Sequence, residues 1–165
     1  MNMKYYSFRT PIGEMSILFS EKGIVYLNVK HKDDIRLLKR KYGQVMEVDI
    51  KDYNYHKEII EYLTGSRKEF TLPLDLKGTF FQMKVWKELI KIPYGQIRTY
   101  KDIAKAIGNP KAYRAVGNAL NKNPVLLIVP CHRVVGSNGQ LTGFGAGIEL
   151  KAWLLNLENG LCKYG

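Results

Sequence analysis

The sequence predicts a chain in two parts. An α/β N-terminal domain over residues 1–77 is built on an antiparallel sheet, and a mainly α C-terminal domain over residues 78–165 carries a helix-turn-helix. Three observations predict this. Strand-forming runs joined by turn signals fill the first 30 residues, helix-start signals crowd the chain after Gly78, and charge is unevenly shared. The net charge is +11; residues 1–75 hold 13 Lys+Arg against 11 Asp+Glu, whereas residues 76–165 hold 13 against 4. Positive charge concentrated in one half is the electrostatic footprint of a polyanion-binding surface, although excess charge also serves solubility.

In the first part, Lys4–Arg9 reads as a strand ending at Thr10-Pro11. The runs Met15–Phe19 and Ile24–Val29 flank Glu21-Lys22-Gly23, which is a hairpin signal. Asp33–Tyr42 has Ile35, Leu38 and Tyr42 at helical spacing and stops at Gly43; Tyr53–Leu63 is a second helix, closed by Gly65. The stretch Leu72–Gly78 is a connecting segment.

In the second part, Thr79-Phe80-Phe81-Gln82 is a capping box, in which a Thr hydroxyl and a Gln side chain satisfy each other's free backbone N–H groups. Phe81, Val85, Leu89 and Ile92 then mark a buried stripe until Pro93 stops the helix. Thr99-Tyr100-Lys101-Asp102 opens the next helix in the same way, with Tyr100, Ile103, Ala104 and Ile107 on its apolar face and Gly108 at its end. Asn109-Pro110 restarts a helix at once, running to about Asn121. One side of it, Ala112, Val116, Ala119 and Leu120, packs inward. The other, Arg114, Gly117, Asn118 and Asn121, is small apart from its arginine and can lie close to a partner backbone. Tight helix packing explains the small residues equally well, but not the arginine among them. With the charge asymmetry, nucleic acid is the favoured partner.

Several classes are excluded. No apolar run approaches the roughly 20 residues a membrane helix needs, and the N-terminus lacks a signal peptide's apolar stretch and cleavage site, so a cytoplasmic protein is expected. The two cysteines, Cys131 and Cys162, are expected as free thiols. No CxxC pair occurs, and His31, His56 and His132 show no ligand spacing, so no metal is expected.

The richest segment is Pro130-Cys131-His132-Arg133-Val134, following the apolar run Val125–Val129. Cysteine is a strong nucleophile only as thiolate, which requires a base or positive charge nearby. After an extended strand, adjacent Cys131 and His132 side chains point to opposite sides, so contact needs a turn after Pro130 or a bridging water. Taken singly, Cys131 reads as an inert core thiol and His132 as a hydrogen-bonded structural histidine. Their context reverses that. The pentapeptide resembles the active-site signature of the O6-alkylguanine-DNA alkyltransferases. Pro93-Tyr94-Gly95-Gln96, Thr99-Tyr100, Gly108-Asn109-Pro110-Lys111-Ala112, Arg114-Ala115-Val116-Gly117, Asn123-Pro124, Gly143-Phe144 and Lys151-Ala152-Trp153-Leu154-Leu155 resemble family positions in the family's order.

The resemblance implies a suicide DNA-repair protein, monomeric and without a cofactor, that moves an alkyl group from guanine O6 in double-stranded DNA onto its own cysteine. It also implies a ribonuclease-H-like N-terminal domain and a winged-helix-like C-terminal one. By that resemblance Cys131 is the acceptor, and His132, oriented by Glu158, draws off the thiol proton through water. Tyr100 donates to guanine N3, and Asn123 ties the recognition helix to the cysteine loop. Arg114 fills the gap left by the flipped nucleotide, with Ala115 and Gly117 beside it in the minor groove. Backbone groups of Cys131, Val134 and Gly145 read the guanine edge; Phe144 and Lys151 complete the site. The chain departs from the family at Phe144, often tyrosine, at Leu126, where some relatives carry proline, and at Tyr113, where a small residue is common. The zinc ligands of some eukaryotic relatives are absent.

Three other readings compete: a lesion sensor, which would lack Cys131; a plain helix-turn-helix DNA-binding protein, which gives Cys131 no chemistry; and a cysteine hydrolase, which needs an oxyanion site for which no motif is present.

Overall fold

A computed structural model describes residues 2–160. The chain divides between Leu76 and Lys77 into two compact units. Cys162 lies outside the described residues.

The first unit is a four-stranded sheet in the order β3-β2-β1-β4, with β1 at Met3–Thr10, β2 at Gly13–Phe19, β3 at Ile24–Val29 and β4 at Val45–Glu47. The first three strands are antiparallel, in register Tyr5↔Leu18 and Ile17↔Leu27. The expected antiparallel sheet is thus present and extended by one strand: β4 runs parallel to β1, pairing Met3 with Val45. Successive side chains leave a strand on opposite faces, and both faces here are covered. Tyr5 and Leu18 pack with Leu38, Ile35 and Tyr42 of helix α1 (Asp34–Tyr42). Their neighbours Tyr6 and Phe19 pack their rings instead against Tyr53 and against Tyr55 and His56 of α2 (Tyr55–Leu63). Five consecutive residues of β2, Met15–Phe19, are therefore buried. The expected start of α2 at Tyr53 falls two residues early, because a 3-10 turn at Ile50–Asp52 precedes the helix. The connecting segment also differs: Ile24 N donates to Pro73 O at 2.9 Å and Asp75 N to Ile24 O at 2.8 Å, which stitches it along β3.

The second unit contains α3 (Phe80–Ile90), α4 (Tyr100–Ala106), α5 (Tyr113–Asn121) and α6 (Ile148–Glu158), with β5 (Arg98–Thr99) pairing parallel to β6 (Val134–Val135). Both expected capping boxes form, Thr79 with Gln82 and Thr99 with Asp102. Val85, Trp86, Leu89 and Ile92 are buried, and the Trp86 indole donates to Ala119 O at 2.8 Å, tying α3 to α5. Two expectations are corrected. Helix α5 begins at Tyr113, not Pro110, because Asn109–Ala112 closes first as a separate turn (Ala112 N to Asn109 O, 3.0 Å). The run Val125–Val129 is buried but not an extended strand: Ile128 N bonds Leu126 O, Val129 N bonds Val125 O, and Leu127 has φ 73. No described helix is long and apolar enough to cross a membrane.

Candidate active site

The turn at 125–129 delivers Pro130 into a 3-10 turn at Cys131–Arg133, closed by Arg133 N on Pro130 O at 3.0 Å. Consecutive residues of a 3-10 turn project about 120° apart, so Cys131 and His132 enter different surroundings. Asn123, two residues past the end of α5, organises the sulfur side. Its Nδ2 donates to Val129 O at 2.8 Å and to Cys131 Sγ at 3.1 Å, and its Oδ1 accepts from Val125 N at 2.9 Å. Asn123→Ala leaves the buried Val125 N–H without that acceptor, so a loss of about 2 kcal/mol in urea unfolding is expected. A change within 0.5 kcal/mol, the ordinary scatter of surface substitutions, would contradict the assignment.

On the other side, Glu158, the last residue of α6, receives four donors. Its Oε1 accepts from Gly95 N at 3.1 Å and Arg133 Nε at 2.8 Å; its Oε2 accepts from His132 Nε2 at 2.6 Å and Arg133 Nη2 at 2.9 Å. Arg133 also donates to Ile92 O at 2.7 Å. A carboxylate saturated in this way is an acceptor only, so His132 carries its proton on Nε2 and Nδ1 is the basic nitrogen.

Burial dominates the electrostatics. It pushes the Cys131 thiol up to about 11, against the opposing hydrogen bond from Asn123 and the charge of Lys151. It pulls His132 below its ordinary value, against the pull of Glu158. The thiol, 4% exposed, is therefore protonated at neutral pH and the imidazole is neutral. Lys151 is buried too. Its ammonium donates to Thr142 O at 3.0 Å and lies 5.9 Å from the ring centres of both Tyr100 and Phe144. The Tyr100 phenol donates to the same carbonyl at 2.8 Å.

An open groove of about 470 Å³ runs past this corner, lined by Tyr100, Tyr113, Arg114, Gly117, Asn118, Asn121, Thr142 and Gly143. Cys131 is not among its lining residues; Thr142, bonded to both Tyr100 and Lys151, connects the groove to the thiol's surroundings. Arg114 and Ala115 are exposed, Gly117 is half-buried, Val134 is buried in β6, and Phe144 and Gly145 sit on the segment before α6. The sequence-derived candidates thus separate into a buried cluster (Cys131, His132, Glu158, Val134, Lys151) with half-buried Asn123 bonded to it, and a groove set (Tyr100, Arg114, Gly117). Sequence reasoning missed Arg133, Gly95 and Thr142. The first carried a signal: an arginine inside an apolar segment, when buried, must be paired. Among the described residues, no group of three or more His, Cys, Asp or Glu could hold a metal ion.

A thiol, a neutral base and a carboxylate that fixes the base are the parts that cysteine-nucleophile proteins assemble. Comparison with known proteins narrows that class. Residues 80–160 match the 6-O-methylguanine DNA methyltransferase DNA-binding domain, and residues 3–76 match the ribonuclease-like domain of the same family. The methylated-DNA–protein-cysteine methyltransferase of Methanosarcina acetivorans is 44% identical over 165 residues, covering 97% of this chain and 100% of that protein. The inducible methylated-DNA–protein-cysteine methyltransferase of Bacillus subtilis is 49% identical over 142 residues, covering 83% and 79%. The crystal structure of Mycobacterium tuberculosis OGT in complex with DNA superposes with a TM-score of 0.83 at 36% identity, covering 97% of this chain and 94% of that one. The chain belongs to the 6-O-methylguanine DNA methyltransferase family.

Proposed function

We propose that this chain repairs DNA by direct reversal, moving the alkyl group of O6-alkylguanine in duplex DNA onto Cys131 once per molecule. The observation that carries this is the arrangement of the buried Cys131 thiol, the neutral His132 imidazole and the four-donor Glu158 carboxylate in a chain of this family.

Because Cys131 and His132 leave the 3-10 turn in different directions, one water carries the thiol proton to His132 Nδ1. The sulfur then attacks the alkyl carbon: the S–C bond forms, the C–O6 bond breaks, and its electron pair stays on guanine. Tyr100 donates a proton to N3 of the leaving base, and the proton held by His132 makes up the balance through solvent, giving neutral guanine and a thioether. For this, Tyr100 exchanges its bond to Thr142 O for one to the base. Lys151 favours developing negative charge near the sulfur. A base within the stack cannot present its O6 substituent in line to a buried sulfur, so the nucleotide is extruded. The α4–turn–α5 unit acts as the helix-turn-helix: Arg114 enters the gap from the minor groove, and Ala115 and Gly117 permit close approach. Backbone groups at Val134 and Gly145 read the guanine edge, with Phe144 as pocket wall. The protein acts as a monomer in the cytoplasm, on the nucleoid when bound to DNA, with no cofactor.

The test is the pH dependence of single-turnover transfer to a methylated duplex. With a neutral base in place, the rate is expected to be flat from pH 7 to about 8.5 and to fall only below the ordinary histidine value of about 6.5, since burial lowers His132. A rate rising tenfold per pH unit through neutrality would show that free thiolate, formed without a base, is the reactant.

A further inference from the structure

The groove holds one aromatic side chain for which the reaction above has no use. Tyr113, the first residue of α5, is 41% exposed and directly precedes Arg114. The Lys101 ammonium of α4 lies over its ring, 5.7 Å from the centroid. One turn along α5 on the same side stands Gly117, with no side chain to cover the ring's outer surface and with Tyr100 beneath it, 3.8 Å from where a Cβ would be. Lys101 thus sits over the ring, and the exposed Tyr113 lines the groove. An exposed phenol needs no such arrangement for stability: an exposed cation–π pair contributes little.

We propose that Tyr113 is a second nucleotide-contacting side chain beside Arg114, and that its exposed ring stacks on the base left unpaired when its partner is extruded. This rests on the reading that the chain flips alkylated guanine. Arg114 and Tyr113 are neighbours on one helix, about 100° apart around its axis, so they cannot fill the same gap. The arginine enters the vacated position and the ring meets the estranged base next to it. Every base offers a π-face, so the contact tolerates any sequence context. Lys101, fixed over the ring, carries its charge to a flanking phosphate of the same strand.

The experiment compares wild type, Tyr113→Ala, Tyr113→Phe and Lys101→Ala, with binding read for each in a Cys131→Ala background so that transfer does not consume the lesion. Binding is measured with a duplex holding O6-methylguanine opposite cytosine and with the same duplex holding an abasic site opposite the lesion. Tyr113→Ala is expected to weaken binding about tenfold opposite cytosine, the scale of one lost base–aromatic stack, and less than twofold opposite the abasic site. Tyr113→Phe should match wild type on both. Lys101→Ala should reduce the slope of log affinity against log salt by about 0.9, one phosphate contact. An equal Tyr113→Ala deficit on the two duplexes, or no deficit on either, overturns the proposal. Failure of the underlying reading is separately visible, since wild type would then leave no alkyl group on Cys131 with either duplex.

Discussion

Replacing Cys131 by alanine is expected to abolish alkyl transfer while leaving a folded protein that still binds alkylated duplex. The substitution removes the only atom that forms the new bond, and no neighbour can substitute: Asn123 and Lys151 are not positioned as acceptors of an alkyl carbon, and His132 is held on Glu158. The structural cost is small. Asn123 Nδ2 loses the sulfur as acceptor but keeps Val129 O, and the cavity left is that of one sulfur, so about 1 kcal/mol of destabilisation is expected. Urea unfolding together with the transfer assay separates the two effects. Residual transfer in Cys131→Ala would move the acceptor elsewhere in the chain.

Glu158→Gln is expected to be nearly as damaging, for a different reason. Four donors converge on the carboxylate: Gly95 N, Arg133 Nε, Arg133 Nη2 and His132 Nε2. A glutamine offers one acceptor oxygen and an NH₂ group, so two of those donors meet another donor, and the Arg133 guanidinium is left buried without its counter-charge. Breaking a buried pair from one side costs about 3–5 kcal/mol. The base also loses the group that fixes its tautomer, and a fall in single-turnover rate of at least roughly 100-fold is expected, the scale of a general-base contribution. A purely structural role is distinguished by adding Arg133→Met. Replacing both charges by less polar groups of similar size recovers stability in many buried pairs, and the double variant is expected to regain much of its midpoint while transfer stays slow. Recovery of both together would mean that Glu158 only supports the fold.

These effects depend on features that the amino-acid sequence reveals unequally. The capping boxes at Thr79–Gln82 and Thr99–Asp102 are legible because both halves of each lie within four residues, where chain connectivity alone brings them together. The β1–β2–β3 meander is legible for the same reason: its pairings are local. Strand β4 is not, since three residues carry no periodicity and its partner β1 lies some 40 positions away, in parallel. The apolar run Val125–Val129 misleads, because burial on all sides suits a strand and a turn equally, and nothing local marks Leu127 for φ 73. In the site, Cys131, His132 and Asn123 can be found from the segment itself and the family resemblance. Glu158 reads locally as a solvated carboxylate at a helix end and is named only through the family resemblance; the fold brings it against His132, 26 residues earlier. Arg133 is harder still: it lies next to the histidine, yet its function is defined by a carboxylate 25 residues away and by the carbonyl of Ile92, 41 residues away.

Transfer to Cys131 is read from the mass of the Cys131 peptide after incubation with a duplex containing O6-methylguanine. One methyl group on Cys131, reaching one per molecule and no further as duplex is added in excess, with unmodified guanine released in equal amount, is the expected result. A peptide of unchanged mass while the lesion disappears, or repair of many lesions by one protein molecule, would contradict the account.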